Sequence, residues 1–370
     1  MSFYEIIEKY KKIDLETAFQ CVTYDDVTEA LSSESLSTDQ FVSLLSPRAG
    51  DRLEDIAQKA HKTTLKYFGK TVQLYTPIYV SNYCDNYCIY CGFNAKNDIP
   101  RKKLTISQVE REAESIASTG LKHILLLTGG SRKESSVSYV KDCVQALKKY
   151  FSSISVEIYA LTGEEYKELI DEGVDGLTIY QETYDEEVYG RMHLSGPKKD
   201  YCFRLDAPER AAREGMRAVN IGALFGLASW RKEAFLAGMH ARYLLDKFPA
   251  AEIGVSLPRL RPHAGKFISD FEISDTNIAQ VIMALRLFLP RQGITVSTRE
   301  APVFRENLLP LGVTRISAGS TTAVGGHTLL QEQGINDIQF QICDERGVDE
   351  IKEMLKSKGY QPVLKDWMPI

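Results

Sequence analysis

Three cysteines stand within one short stretch, Cys84-Asp85-Asn86-Tyr87-Cys88-Ile89-Tyr90-Cys91, and Gly92 follows. The spacing is C-x3-C-x2-C. Three thiolates are one short of the four that a closed structural zinc site or a fully ligated cubane iron–sulfur cluster takes. Two metal chemistries fit that count. A zinc ion would need a distant fourth ligand, for which His61 and His123 are available. A [4Fe–4S] cluster on Cys84, Cys88 and Cys91 would instead keep one iron open to bind and activate a small molecule. Unrelated core thiols are the third alternative, and a C-x2-C piece alone is ambiguous. The full spacing, Tyr90 directly before the last cysteine and Gly92 after it favour the cluster. Cys21, Cys143, Cys202 and Cys343 are isolated and read as small, partly buried side chains.

The elements that must position this loop are legible as a pattern. From Thr71 onward, apolar and β-branched runs stand at 71–80, 122–128, 154–161, 176–181, 218–225, 252–257, 293–298 and 313–318, and amphipathic stretches separate most of them. Strand–helix repetition implies parallel pairing. Eight such units predict an α/β fold of the (β/α)8 TIM-barrel type over 71–320. Residues 1–70 read as a helical N-terminal extension. Ser37 and Gln40 fit a capping box, and the helical spacing from Arg52 to Phe68 stops at Gly69. Ser107 with Glu110 reads as another capping box, on a helix that Gly120 closes. Asp206 before Pro208 starts a further helix, which Gly215 ends. The segment 321–370 is a short C-terminal extension that includes Lys365-Asp366-Trp367.

In barrels of this type, reactive groups gather at the C-terminal ends of the strands. The polar and glycine-rich pieces fall there. The cysteine loop follows the first run, Thr128-Gly129-Gly130 the second and Gln181-Glu182-Thr183-Tyr184 the fourth. Gly222 lies near the end of the fifth, Pro258-Arg259-Leu260-Arg261-Pro262 follows the sixth, and Ser297-Thr298-Arg299-Glu300 and Ser317-Ala318-Gly319-Ser320 end the last two. Arg299, always charged and able to bind bidentately, suits a carboxylate. Ser297 and Ser317 on neighbouring strands would complete that grip. Glu157 is an acid inside a β-branched strand, costly unless partnered. Glu182 and Arg204 would pair with each other or serve a ligand. Composition limits the partners. A net charge of −5 argues against nucleic acid, and no apolar run reaches membrane-spanning length. The polar, acidic start and the odd cysteine count of seven predict a cytoplasmic protein.

Several pieces together resemble the aromatic-amino-acid lyase group of radical S-adenosylmethionine (SAM) enzymes. The nearest likeness is to the ThiH family, the tyrosine lyases (2-iminoacetate synthases) of thiamine thiazole biosynthesis. The pieces are Tyr79-Val80-Ser81-Asn82-Tyr83-Cys84 with Cys88, Tyr90, Cys91, Gly92 and Phe93, then Tyr180-Gln181-Glu182-Thr183-Tyr184, Phe203-Arg204-Leu205, Ile221-Gly222-Ala223-Leu224, Pro258-Arg259-Leu260-Arg261-Pro262, Ser297-Thr298-Arg299-Glu300 and Lys365-Asp366-Trp367. The related HydG enzymes of hydrogenase maturation carry a second cysteine cluster towards the C-terminus. Here Cys343 stands alone in that region, which favours ThiH. A paralogous lyase acting on tryptophan is the alternative.

The resemblance implies a [4Fe–4S] cluster on Cys84, Cys88 and Cys91, with SAM on the open iron. It implies cleavage of the Cα–Cβ bond of L-tyrosine to 2-iminoacetate (dehydroglycine) and p-cresol, with 5′-deoxyadenosine and methionine released from SAM. It also implies hand-over to thiazole synthase ThiG and an electron donor such as flavodoxin or ferredoxin. For residues, it implies Tyr90 near the SAM adenine, Gly129 and Gly130 at the SAM amino group and Glu157 at the ribose or methionyl part. Arg204 would sit at the SAM carboxylate, Gly222 where the adenine comes close, and Arg299 at the tyrosine carboxylate. Relatives commonly carry a glutamate in the turn where Gly130 and Ser131 stand here. For the phenol end, His263, Glu182 and His327 are candidate bases. Arg259 and Arg261 are expected to share one face and line the pocket or dock the partner.

Overall fold

In the computed structural model, which describes residues 2–265, 267–328 and 338–366, each apolar run of the sequence becomes a strand. These are β1 (Thr71–Ser81), β3 (His123–Thr128), β4 (Ser153–Glu157), β5 (Gly176–Glu182), β7 (Ala218–Ala223), β8 (Glu252–Ser256), β9 (Gly293–Val296) and β10 (Arg315–Ser317). All neighbours pair in parallel, and β10 pairs back onto β1. The result is the closed (β/α)8 barrel of the sequence reading. Alternation along the strands turns one set of side chains inward. Tyr75 stands opposite Ser317, Leu127 opposite Glu157, and Tyr180, Gly222, Ser256 and Thr295 stand in one register row. Two short antiparallel strands, β2 (Tyr87–Cys88) and β6 (His193–Ser195), tie the cysteine loop to the loop beyond β5.

Five helices precede the barrel, α1 (Phe3–Lys11), α2 (Leu15–Cys21), α3 (Tyr24–Ser32), α4 (Thr38–Leu45) and α5 (Leu53–Phe68). The Ser37–Gln40 capping box forms as expected, and Gly69 closes α5 at φ +61°. The outer ring holds α6 (Ile106–Ser118), α7 (Val137–Leu147), α8 (Gly163–Glu172), α9 (Glu186–Met192), α10 (Tyr201–Leu205), α11 (Ala207–Arg213), α12 (Trp230–Lys247), α13 (Asp275–Phe288) and α14 (Pro302–Leu308). The cap of α6 differs from expectation. Thr105 and Gln108 form its capping box, so Ser107 lies inside the first turn. Both pairs have the required spacing, and the structure uses the earlier one. The N-terminal helices share the barrel's core. Phe3 stacks on His240 of α12 with centroids 4.1 Å apart, and Phe41 on Phe288 of α13 at 4.2 Å. One buried apolar cluster runs from Phe3 to Leu355.

The far end of the chain closes the barrel floor. A last helix, Val348–Ser357, leads into β11 (Gln361–Val363), which pairs in parallel with the start of β1. The Lys122 N–H donates to the Leu364 carbonyl at 2.8 Å, so this strand lies beside the starts of both β1 and β3. Asp366 then reaches under the barrel, where Arg217 Nη2 meets its Oδ2 at 2.7 Å and Arg315 Nη2 at 3.6 Å. Arg217 also pairs with Glu252 at 3.0 Å and Asp175 at 3.8 Å. Burial works to raise the Asp366 carboxyl, but Arg315, His123 and Arg217 prevail and bring it down to about 2. Trp367 lies outside the described residues.

Candidate active site

The cysteine loop leaves the C-terminal end of β1 and packs against the turn that follows β3. A Cβ on Gly129 would lie 2.3 Å from the Tyr83 carbonyl oxygen, and one on Gly130 would lie 2.3 Å from Asn86 Nδ2 and 3.4 Å from Cys84 Sγ. Neither glycine has a positive φ. They are small because the thiol-bearing backbone rests on them. A side chain in place of Gly130 would require Asn86 to move. Asn86 is itself a joint. Its Nδ2 faces Cys84 Sγ at 3.6 Å and the Gly130 carbonyl at 3.4 Å, while its Oδ1 accepts the Lys198 N–H at 2.8 Å.

Cys84, Cys88 and Cys91 line one cavity with Gly129, Gly130, Glu157, Glu182, Lys198 and Arg204. Burial pushes the Cys88 thiol up to about 12 and raises Cys91 as well, and the neighbouring thiols add to both. Thiolates here therefore need a compensating positive charge, which bound metal supplies. Amide donors reach two of the sulfurs, Asn86 at Cys84 and Gln339 at Cys91, the latter at 3.8 Å. Such donors are what cluster thiolates take up. The donor set thus fits an iron–sulfur cluster. The histidines considered for zinc are engaged elsewhere. His61 Nδ1 contacts the Pro310 carbonyl at 3.1 Å, and His123 Nε2 contacts Ser155 Oγ at 3.0 Å at the opposite, N-terminal end of β3.

A charged wall stands beside the thiols. Glu182, at the end of β5, has φ +72°, uncommon for a side-chain-bearing residue, where the β5–β7 register shifts. That bend turns its carboxylate towards Lys198 Nζ at 2.6 Å and Arg204 Nη2 at 3.3 Å. Burial opposes its charge, but Lys198 and Arg204 hold it below the usual carboxylate range. Arg204 Nε also donates to the Tyr180 carbonyl at 2.7 Å, so the Glu182–Arg204 ion pair expected from the sequence is present. Lys198, just past β6, had no motif to announce it. Glu157, at the end of β4, is pushed up to about 7 by burial and by Glu182, against the pull of Arg299, Arg204 and Lys198.

Arg299 follows β9. Its guanidinium packs over the Phe340 ring at 3.3 Å from the centroid, and Nη1 donates to the Arg259 carbonyl at 3.4 Å. No carboxylate among the described residues lies within ion-pair distance of it. Burial lowers its pKa, while Tyr79, Tyr180, Glu157 and Glu182 act to retain the charge. The other cations of this rim are neutralised. Arg259 pairs with Glu300 and, at 2.7 Å, with Asp275, and Arg261 pairs with Glu300 at 3.1 Å. Arg259 and Arg261 do share one face, around the buried Glu300. Ser317 Oγ accepts the Thr298 N–H at 3.0 Å, and Ser297 Oγ accepts the Arg299 N–H at 3.4 Å. Both hydroxyls thus hold the loop that carries Arg299.

Other expectations land differently. Tyr90 is buried behind the cysteine loop, where its hydroxyl meets His193 Nε2 at 2.7 Å and its ring packs with Cys88, Leu224 and Leu227. It is not among the cavity-lining residues. A Cβ on Gly222 would strike the Ser256 carbonyl at 1.7 Å, so the missing side chain makes room for the neighbouring strand. His327 is not among the residues that line the thiol cavity. Its N–H donates to Glu112 of α6 at 2.9 Å, and its Nε2 contacts the Pro77 carbonyl. Among the described residues, the His263 ring nitrogens meet the backbone carbonyls of Arg261 and Ile89, both at 3.4 Å. Of the three candidate bases, only Glu182 lines the cavity.

The geometry meets its parallels in known proteins here. The Radical SAM superfamily pattern matches residues 78–232, and that of the Biotin and Thiamin Synthesis associated domain matches 256–361. The 2-iminoacetate synthase of Salmonella typhimurium is 37% identical over 355 residues, 96% of this chain and 93% of the relative. That of Escherichia coli is 38% identical over the same shares. The chain belongs to the 2-iminoacetate synthase family of radical SAM proteins. Among solved structures, the FeFe-hydrogenase maturase HydG of Carboxydothermus hydrogenoformans superposes with a TM-score of 0.84 at 32% identity, covering 98% of this chain and 82% of HydG. The family matches divide within the barrel, so both halves of the site, the cysteine loop in the first and Arg299 in the second, fall inside matched regions. Among the described residues no helix is long and apolar enough to cross a membrane.

Proposed function

We propose that this chain is a tyrosine lyase, which cleaves the Cα–Cβ bond of L-tyrosine to give 2-iminoacetate and p-cresol for the thiazole of thiamine. The observation that carries the reading is Arg299. It is a half-buried guanidinium, unpaired among the described residues, on the same barrel mouth as three thiols that face one cavity. A cation drawn partly out of water without a counter-ion is costly, and a bound carboxylate relieves that cost.

When bound, a [4Fe–4S] cluster and SAM supply a 5′-deoxyadenosyl radical at the cavity. The chain's own residues then aim the substrate. Cys84, Cys88 and Cys91 hold the cluster. Gly129 and Gly130 would hold the SAM amino group through their backbone, and Arg204 and Glu157, which line the same cavity, would hold its other polar parts. Arg299 takes the tyrosine carboxylate bidentately, with Ser297 and Ser317 fixing the loop beneath it. Placement decides the outcome, because a carbon radical abstracts whichever hydrogen is nearest. One hydrogen of tyrosine leaves on 5′-deoxyadenosine, and the cresol fragment is completed by a second electron and a proton, so each turnover consumes two electrons, one to cleave SAM and one to finish p-cresol. Because 2-iminoacetate hydrolyses readily, direct transfer to a thiazole synthase of the ThiG type would protect it. A flavodoxin or ferredoxin would supply the electrons.

Substrate choice is tested by competition. Reconstituted, reduced protein is given SAM with equimolar tyrosine and tryptophan. We expect p-cresol as the only aromatic fragment, and an indole fragment in its place would overturn the tyrosine assignment.

A further inference from the structure

The segment 338–344 crosses the mouth of the barrel and touches both halves of the site. Phe340 lies against Arg299, and the Cys343 N–H donates to the Thr298 carbonyl at 2.8 Å. At the other end its backbone rests on the residue after the third cysteine. A Cβ on Gly92 would lie 2.3 Å from the Gln339 carbonyl oxygen. The Gln339 N–H is held by the Thr322 carbonyl at 3.1 Å. Gln339 is therefore fixed by backbone contacts on both sides, independently of its side chain.

The side chain then has two partners. The Tyr79 hydroxyl donates to Gln339 Oε1 at 2.8 Å, and Gln339 Nε2 stands 3.8 Å from Cys91 Sγ. Which end of the amide faces which partner is set by chemistry. A metal-bound thiolate only accepts hydrogen bonds, so the NH2 group must face it. The buried phenol must place its one proton, and Oε1 is the acceptor it meets. Tyr79 thus locks the amide with a donor aimed at the sulfur.

Resting on the cluster reading above, we propose that Gln339 sets the reduction potential of the cluster by donating a hydrogen bond to the Cys91 thiolate. Reduction adds negative charge to the cluster and its sulfurs. A donor at a ligand sulfur stabilises the reduced form more than the oxidised form and raises the potential. Gln339 is a positioning and tuning residue, since it touches a ligand and not the reacting atoms. Its neighbour Phe340 couples the same segment to the substrate-binding arginine.

The test is a redox titration of the reconstituted full-length protein, followed by the low-temperature EPR signal of the reduced cluster, without SAM or substrate. Gln339→Leu keeps the size and removes the donor. We expect its reduced-to-oxidised ratio at a fixed poise to fall about tenfold, a shift of about 59 mV for one electron, with iron content per chain unchanged. Should Gln339→Leu lose iron, Gln339→Glu decides, because its carboxylate presents an acceptor to the sulfur and lowers the potential at least as far. An unchanged potential in either variant with a full cluster overturns the inference and leaves the functional reading intact. Wild-type protein that takes up no iron and sulfide would instead defeat that reading itself.

Discussion

The two ends of the barrel are built from the same residue types and treat charge in opposite ways. At the floor, Arg217 and Arg315 meet Asp366, Glu252 and Asp175, and every one of these cations has a carboxylate partner. At the mouth, Arg299 has none among the described residues, Glu157 is pushed up to about 7, and burial raises two of the three thiols. Paired charge closes a structure. Charge left unpaired away from water is a cost that a bound group or, for Glu157, a proton removes. The rim arginines sharpen the contrast. Arg259 and Arg261, a few residues away in space, are both neutralised by Glu300.

The largest expected effect is at the thiols. Cys88→Ala should abolish bound iron and all deoxyadenosine formation, read by metal analysis and product assay. Retained stoichiometric iron would break the assignment of the mouth as a cluster site. Next, Arg299→Gln should lower kcat/KM for tyrosine by about a hundredfold or more, on the order of 3 kcal/mol for a charged bidentate contact. Its melting temperature should not fall, because no internal ion pair is broken. Loss of stability in this variant would show that Arg299 is a structural cation like those of the floor.

Glu157→Gln should act oppositely on stability and activity. The folded pKa, about 7, lies above the unfolded value of about 4.3. The charged side chain therefore destabilises the ligand-free protein above pH 7, and the penalty fades as pH falls towards 4. Chemical denaturation at pH 8 should show a gain on the order of 3 kcal/mol, together with weaker SAM binding. At the floor the sign reverses. The folded pKa of Asp366, about 2, lies below the unfolded value of about 3.9. Its stabilisation is present above pH 4 and is lost as pH falls towards 2. Asp366→Asn should cost about 2–3 kcal/mol at neutral pH and leave kcat/KM within about twofold. The smallest effect is Ser37→Ala, which removes the α4 cap for about 1 kcal/mol and leaves turnover unchanged.

What the sequence revealed follows from how each feature is encoded. Barrel strands are buried on both faces, so they appear as apolar runs, and all eight emerge within a few residues of the expected bounds. The cysteine loop is legible because ligand count and spacing are chemical facts of the chain. The floor strand Gln361–Val363 is too short, with Pro362 inside it, to carry a pattern. Lys198 and Gln339 escape notice because their roles come from long-range contacts with Glu182, Tyr79 and Cys91. The packing at Gly222 escapes notice for the same reason, since only the register shows the Ser256 carbonyl filling the space of its missing side chain. Tyr90 and His327 are polar residues whose side-chain partners, His193 and the Pro77 carbonyl, satisfy them inside the packing.

The central claim is that the unpaired charges of the mouth bind a cluster, SAM and tyrosine for one radical cleavage. The most direct measurement is anaerobic turnover of reconstituted, reduced protein with SAM and tyrosine, quantifying 5′-deoxyadenosine and p-cresol together. The account predicts both products in near-equal amounts. Deoxyadenosine without p-cresol, or neither product from protein with a verified intact cluster, would contradict it.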